Sequence, residues 1–367
     1  MLYYFTFLVP FIAALAAWLF SRDTELWWAY LLVAVGIDGL LHLFFWLLST
    51  AKEYLSGYVT ASVHYNAWTE RVVRIETRNV NGRTVSTQRV EYVRHPDSYA
   101  WRINTGREFS VDYSQYIGMA ERWHAVPEFY PVHHFNCVAG GDGEICHWNG
   151  NELDTETVTY THRYRNPVRY SNSIFSEKHI SKKEAQKLNL IDYPKINGFE
   201  QKVVLCQPGL ELDESLICQS CIQRINAFCG QEHQIHVFVL LFKADQGLET
   251  AYRQHSYWKG LNKNEFVVCL GIDGDEVRWC QPFSWMDEPT LAVWTKAYFR
   301  DNPKLDLDSF SRELRNNIGL WKRKQFSDFK YLGINLSKSN RIVYGCIVAL
   351  LAAATVVICL LVTNSNK

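Results

Sequence analysis

The segment Trp27–Leu48, WWAYLLVAVGIDGLLHLFFWLL, limits what this chain can fold into more than any other stretch. Its length meets the roughly 20 apolar residues that a helix needs to cross the hydrocarbon core of a bilayer. It carries one acid, Asp38, and one imidazole, His42, four residues apart and therefore on one helix face. A second apolar run, residues 2–20, precedes it with Pro10 near the middle, where a kink is expected. A third run, Ile342–Val362, lies near the other end of the chain. The connection Ser21–Glu25 is short enough to require an antiparallel hairpin of the first two spans. Ala14-Leu15-Ala16 fits a signal-peptide cleavage site, but no Lys or Arg precedes Arg22, so a retained span is the expectation. Trp18, Trp27, Trp28 and Tyr30 sit near the span ends, where such rings favour the headgroup level.

Basic residues near the span ends set the expected orientation. Lys322, Arg323, Lys324, Lys330, Lys338 and Arg341 precede the third span and only Lys367 follows it; Lys52 follows the second span, against Arg22 in the hairpin loop. The central body and the N-terminus are thus expected in the cytoplasm and the C-terminus outside, in an integral protein of the inner membrane. The lipid bilayer is its first partner. Lys plus Arg equals Asp plus Glu at 38 each, so no basic footprint argues for nucleic acid. The length of 367 residues suggests two or three domains, and ten cysteines in a chain this size do not imply a disulfide scaffold.

Between the spans the pattern changes twice. Residues 57–172 alternate with period two and are rich in Val, Thr and Tyr, which predicts a mainly antiparallel β region, with Asn81-Gly82 as a hairpin turn. A further strand pair flanks Asn104-Thr105-Gly106, and Ser114–Trp123 reads as a helix. Ser181 followed by Glu184 has capping-box spacing and opens a short helix. Beyond the Pro- and Gly-punctuated stretch 191–212, a helical stripe over 213–229 leads to the apolar strands His236–Phe242 and Glu265–Ile272, a turn at Asp273-Gly274 and a third strand. Helices are expected at 247–258, 287–299 and 306–321. The fold class is therefore an α+β membrane protein with a helical hairpin (1–50), a β-rich region (51–200), a small α/β domain (201–335) and a last span (342–362).

Tyr257-Trp258-Lys259-Gly260, the polar Lys263-Asn264-Glu265 and the buried strand turning into Glu276-Val277-Arg278 resemble the core of the TPM domain, within residues 213–300. The strand His236–Phe242 behind a helix belongs to the same likeness. The resemblance implies a membrane-associated α/β module, with phosphatase activity in some members. In that family the polar turn commonly reads Asp-Asn-Gly, and here it reads Lys-Asn-Glu. The overall arrangement is also similar to uncharacterised membrane proteins of bacteria and their phages.

Several groups of residues invite a chemical role. Asp38 and His42 are costly in a bilayer unless they face protein or water, so they read as an ion path or as a polar contact locking helices, aided by close approach at Gly36 and Gly39. His133, His134, Cys137, Cys146 and His147 surround a Gly-rich loop and offer zinc-type ligands, though without finger spacing; the plainer reading is a hairpin with reduced cysteines. Cys218 and Cys221 form C-x-x-C, a redox or zinc half-site pattern, within a helix where free Cys packs as a small hydrophobe. Asp245, Asp273, Asp275 and Glu276 follow the buried strands, so parallel strands would let Asp245 and Asp273 share Mg²⁺ or Ca²⁺; the plainer reading is a turn with solvated acids. No cofactor is called for outright, and a divalent cation (Mg, Ca or Zn) is the one these residues leave open. Leu307, Phe310, Leu314, Ile318 and Trp321 make an apolar helix face ending in Lys322, Arg323 and Lys324, placed to lie on anionic lipid or to pack on the α/β domain.

The function expected is a membrane-anchored, non-catalytic interaction, sensor or assembly protein with protein partners or as a homo-oligomer. The alternatives are a TPM-like metal-dependent phosphohydrolase using the acids near Asp245 and Asp273, and an oligomeric proton- or ion-conducting protein using Asp38 and His42.

Overall fold

The computed structural model describes residues 5–21, 27–80, 83–165, 180–258, 261–325, 328 and 338–365. Arg22, Asn81-Gly82, residues 166–172 of the expected β region, Lys259-Gly260, Lys330 and Lys367 lie outside them. In chain order the elements begin with helices α1 (Val9–Ser21) and α2 (Trp27–Leu48) and strands β1 (Thr50–Tyr65), β2 (Trp68–Val80), β3 (Arg83–His95), β4 (Ser98–Ile103) and β5 (Glu108–Val111). Helix α3 (Tyr113–Arg122) follows, then β6 (Glu128–Tyr130), β7 (Cys137–Gly140), β8 (Gly143–His147), β9 (Thr157–Arg165) and α4 (Lys182–Lys187). The second half holds β10 (Val204–Cys206), α5 (Gln219–Phe228), β11 (His236–Lys243), α6 (Glu249–Tyr257), β12 (Glu265–Asp273), β13 (Glu276–Ser284), α7 (Thr290–Asp301), α8 (Leu307–Asn316) and α9 (Lys338–Ser365).

The result is an α+β fold built, among the described residues, on three sheets. β1 organises the first. Its opening half pairs with β9, from Thr50 opposite Arg165 to Tyr58 opposite Thr157, and its closing half lies between β4 and β8. A bulge between Val59 and Ala61 marks the changeover. The alternation expected from residue 57 in fact begins at Thr50, with only Ser49 between it and the end of α2. β2 and β3 form a long ribbon extended by β7. The third sheet has the order β10-β11-β12-β13, with the first three strands parallel and β13 antiparallel at the edge. β11 and β12 are buried along nearly their whole length, as continuous apolar runs require. Their core takes in Leu307, Phe310, Leu314, Ile318 and Trp321, so the amphipathic helix packs its apolar face on the α/β sheet.

The helix starts follow their local chemistry. Asp112 caps α3 by accepting from the Gln115 backbone N–H at 2.8 Å, and Ser181 caps α4 through the Glu184 N–H at 3.3 Å.

α1, α2 and α9 pack on one another. Two segments, Trp27–Leu48 and Asn340–Val362, are long and apolar enough to cross a membrane, whereas α1 has 13 residues. Residues 5 and 6 are helical, Phe7 and Leu8 form a turn, and Pro10 stands in the first turn of α1, so the apolar run breaks just ahead of the proline. Alanines and aromatics fill most of the inside of this bundle, among them Ala14, Ala17, Ala34, Phe45 and Tyr344, together with Leu41. Many other leucines face outward, with Leu32 62 % and Leu350 70 % exposed. Among the described residues a Cβ added at Gly36 or Gly39 would meet nothing within 4 Å, so the close helix approach expected there does not occur.

Candidate functional site

A concave feature lies against the edge of the third sheet. A cleft of about 1120 Å³ is walled by α6, α7 and the α4 region and floored by β13 and the turn after it. Edge position explains its existence: β12 pairs with one side of β13 and, among the described residues, no strand covers the other. Short bridges close the ends of that edge, Glu276 to Lys304 and Met286 to Arg323. The floor is apolar, with Pro282, Phe283, Trp285 and Met286, and Leu188 and Val293 continue it up the walls.

Polar groups stand on the rim. The His255 ring stacks on Phe283 with centroids 4.6 Å apart, and burial pushes its pKa down to about 4, so the imidazole is neutral at pH 7. The Lys296 ammonium donates to Gln281 Oε1 at 2.7 Å, and Arg253 pairs with Glu249 at 2.6 Å. A volume of this size, apolar below and charged of both signs above, suits an elongated occupant with alternating apolar and polar groups.

A second feature is a buried polar seam where the starts of β11 and β12 meet β1. His236 opposes Glu265 across the parallel pair, and Lys263, Asn264 and Glu265 are all fully buried. Glu265 accepts from the Asn262 backbone N–H at 2.9 Å, from Asn262 Nδ2 at 2.6 Å and from the Tyr193 hydroxyl. Burial raises the Glu265 carboxyl above the usual carboxylate range, and burial beside Glu265 holds the Tyr193 hydroxyl protonated. The His236 imidazole donates through Nε2 to Gln201 Oε1 at 2.9 Å, and burial pushes its pKa down to about 3. Asn264 Nδ2 donates to the Tyr54 carbonyl at 2.6 Å and so ties the α/β sheet to β1. One residue earlier in β1, Glu53 accepts from Arg323 Nη2 at 2.7 Å and lies 2.9 Å from His162 Nδ1. The seam ties parts of the chain more than 200 residues apart, and it borders a polar recess of about 430 Å³ lined by Arg107, Tyr160 and Gln234 as well.

The residues singled out by sequence fall elsewhere. Parallel pairing of β11 and β12 does bring Asp245 and Asp273 to one end of the sheet, but Asp273 pairs with Arg278 at 3.3 Å, Glu276 with Arg278 at 2.8 Å and Asp275 with Lys304 at 3.7 Å. The loop 133–147 is not one hairpin. Cys137 lies in β7, which pairs with β2, whereas Cys146 lies in β8, which pairs with β1 and β6. His134 stacks on Trp68 at 4.0 Å, and His133 and His147 join no cluster; among the described residues no three His, Cys, Asp or Glu side chains are grouped to hold a metal. Asp38 and His42 contact each other, with Nδ1 3.4 Å from Oδ2, and Phe7 stacks on the imidazole at 3.8 Å. Lys322 pairs with Glu288, and Arg323 turns inward to Glu53 instead of outward. Cys218 and Cys221 form a disulfide, with Cys218 at the N-cap of α5 instead of inside the helix.

No local pattern marks the cleft, and the seam leaves only one trace in the sequence, Lys263-Asn264-Glu265, three polar residues set directly against an apolar strand. In comparisons with known proteins, no family model, no curated protein and no solved structure matches this chain.

Proposed function

We propose that this protein is a membrane-anchored interaction module that holds an extended polypeptide segment of a protein partner in the cleft along β13. The observation carrying this reading is the pairing of an uncovered strand edge with an apolar floor and a rim of mixed charge. A strand edge offers backbone hydrogen bonds, and pockets beside it select alternate side chains. The anchor is the bundle of α1, α2 and α9, whose leucine-covered exterior favours lipid over water. In this reading the body faces the cytoplasm and the C-terminus lies outside, following the basic residues before the third span.

A TPM-like phosphohydrolase is the second reading. Its support is the parallel β11–β12 pair, which gathers Asp245 and Asp273 at one sheet end. It ranks behind the first because basic side chains already engage Asp273 and Asp275.

The test is binding of the detergent-purified full chain to an array of short peptides. Segments with alternating apolar residues are expected to be enriched, and Met286→Asp, on the cleft floor, is expected to weaken the hits by about tenfold or more. An array without such enrichment, or hits indifferent to Met286→Asp, overturns the proposal.

A further inference from the structure

Ten cysteines are present, and eight of them, including the neighbours Cys269 and Cys280 on paired strands, remain thiols. The one bond that forms joins Cys218 to Cys221, across only two intervening residues. Loops this short gain least from cross-linking, so a structural staple is poorly served here. The surroundings of the pair are asymmetric in the way exchange chemistry needs. Cys218 is half-buried at the N-cap of α5, where the positive end of the helix dipole favours a thiolate, and its sulfur lies 3.7 Å from Ser220 Oγ. Cys221 is 3 % exposed, with its sulfur 3.9 Å from Arg224 Nη2 and 3.5 Å from Asp308 Oδ1. The Gln219 side chain accepts from the Val203 and Val204 N–H groups at 3.0 Å, which fixes the first turn of α5 to the sheet.

We propose that Cys218–Cys221 is a thiol–disulfide exchange site that cycles against an external dithiol. A thiolate of the dithiol attacks Cys218 Sγ, forming a mixed disulfide as the Cys218–Cys221 bond breaks. The electron pair leaves on Cys221 Sγ, beside the Arg224 guanidinium, and a proton reaches it by way of Asp308 and water. The second thiolate of the dithiol then attacks its own sulfur in the mixed disulfide and releases Cys218 as a thiolate, which takes its proton from water. Two electrons and two protons pass to the pair, and the dithiol leaves as a disulfide. In the reverse direction the Asp308 carboxylate accepts the Cys221 proton and generates the attacking thiolate. This site is independent of the cleft.

The test equilibrates the full chain in detergent with a graded series of reduced and oxidised glutathione, then alkylates and locates the label by peptide mass. Cys218 and Cys221 are expected to titrate together and reversibly as one two-electron step in the folded protein. Cys221→Ser is expected to hold glutathione on Cys218, and Asp308→Asn, a change at an exposed position, to slow reoxidation by roughly tenfold with an unchanged melting curve. A bond that stays closed across the whole series until the protein unfolds overturns the proposal. So does a pair that is recovered only as thiols at the oxidised end, or an Asp308→Asn variant that reoxidises at the parent rate.

Discussion

Replacing Lys263 by Met is expected to stabilise the protein in neutral and acidic solution. The side chain is fully buried, and burial pulls its pKa from the ordinary 10.5 down to about 7, with the Arg323 guanidinium adding in the same direction and Asp328 and Glu53 opposing it. An unfolded chain keeps this amine protonated up to the ordinary value. Between about 7 and 10.5 the unfolded state therefore binds a proton that the folded state lacks, and stability contributed by this group rises with pH across that window. Below about 7 both states are charged and the fold bears the whole cost. At about 1.4 kcal/mol for each tenfold in proton affinity, that cost is about 5 kcal/mol, falling to about 2 kcal/mol by about pH 9. Methionine keeps the unbranched stem and removes the charge. Unfolding free energies of the full chain in mild detergent, from denaturant titrations read by tryptophan fluorescence, give the comparison at pH 6, 7.5 and 9. Buried tyrosines and thiols such as Tyr193 and Cys269, held protonated in the fold, erode stability at high pH in both proteins alike. The difference between variant and parent is therefore the quantity to follow, and it should shrink as pH rises. A variant less stable than its parent at pH 6, or a constant difference across the series, refutes the reasoning.

Two further substitutions test the packing that holds the site. Glu53→Gln leaves the Arg323 guanidinium, whose side chain is 12 % exposed, without its charge partner; breaking a buried pair costs about 3–5 kcal/mol and should lower the melting temperature by roughly 6–20 °C. Gly271→Ala places a methyl group 2.1 Å from the Trp279 indole, which is held by the Ala244 carbonyl and stacked on Phe242. Overpacking of this kind costs about 1–3 kcal/mol, and a second change, Trp279→Leu, should recover part of the loss in a denaturant titration.

Periodicity made much of the architecture legible and long-range pairing hid the rest. The apolar runs of β11 and β12, the cap at Ser181 and the turn at Asp273-Gly274 are local signals, and each marks the element it predicts. β1 starts seven residues ahead of its legible alternation because Ala51–Ser56 carries Lys52 and Glu53, and its partner β9 lies about 100 residues away. Glu53 and Lys263 look solvent-bound in sequence, since nothing nearby announces that β1 will cross the start of β12. The cysteines and histidines of 133–147 were grouped by proximity in the chain, but β7 and β8 join different sheets and carry them apart. The cleft had no signature at all. It exists because β13 ends a sheet between two helices, a fact of topology rather than of any one segment.

Only Ser49 separates α2 from β1, and that residue is tied back into the helix by its N–H and its hydroxyl, both bonded to the Phe45 carbonyl at 3.0 and 2.6 Å. Asn340 at the start of α9 clamps the same joint by donating to the Leu48 carbonyl at 2.8 Å. Rod and plate are thus effectively one stiff piece. A torque on the far end of α2 would reach β1 undamped and load β9 together with the Tyr54–Asn264 tie, with the bulge after Val59 as the first compliant point along its path.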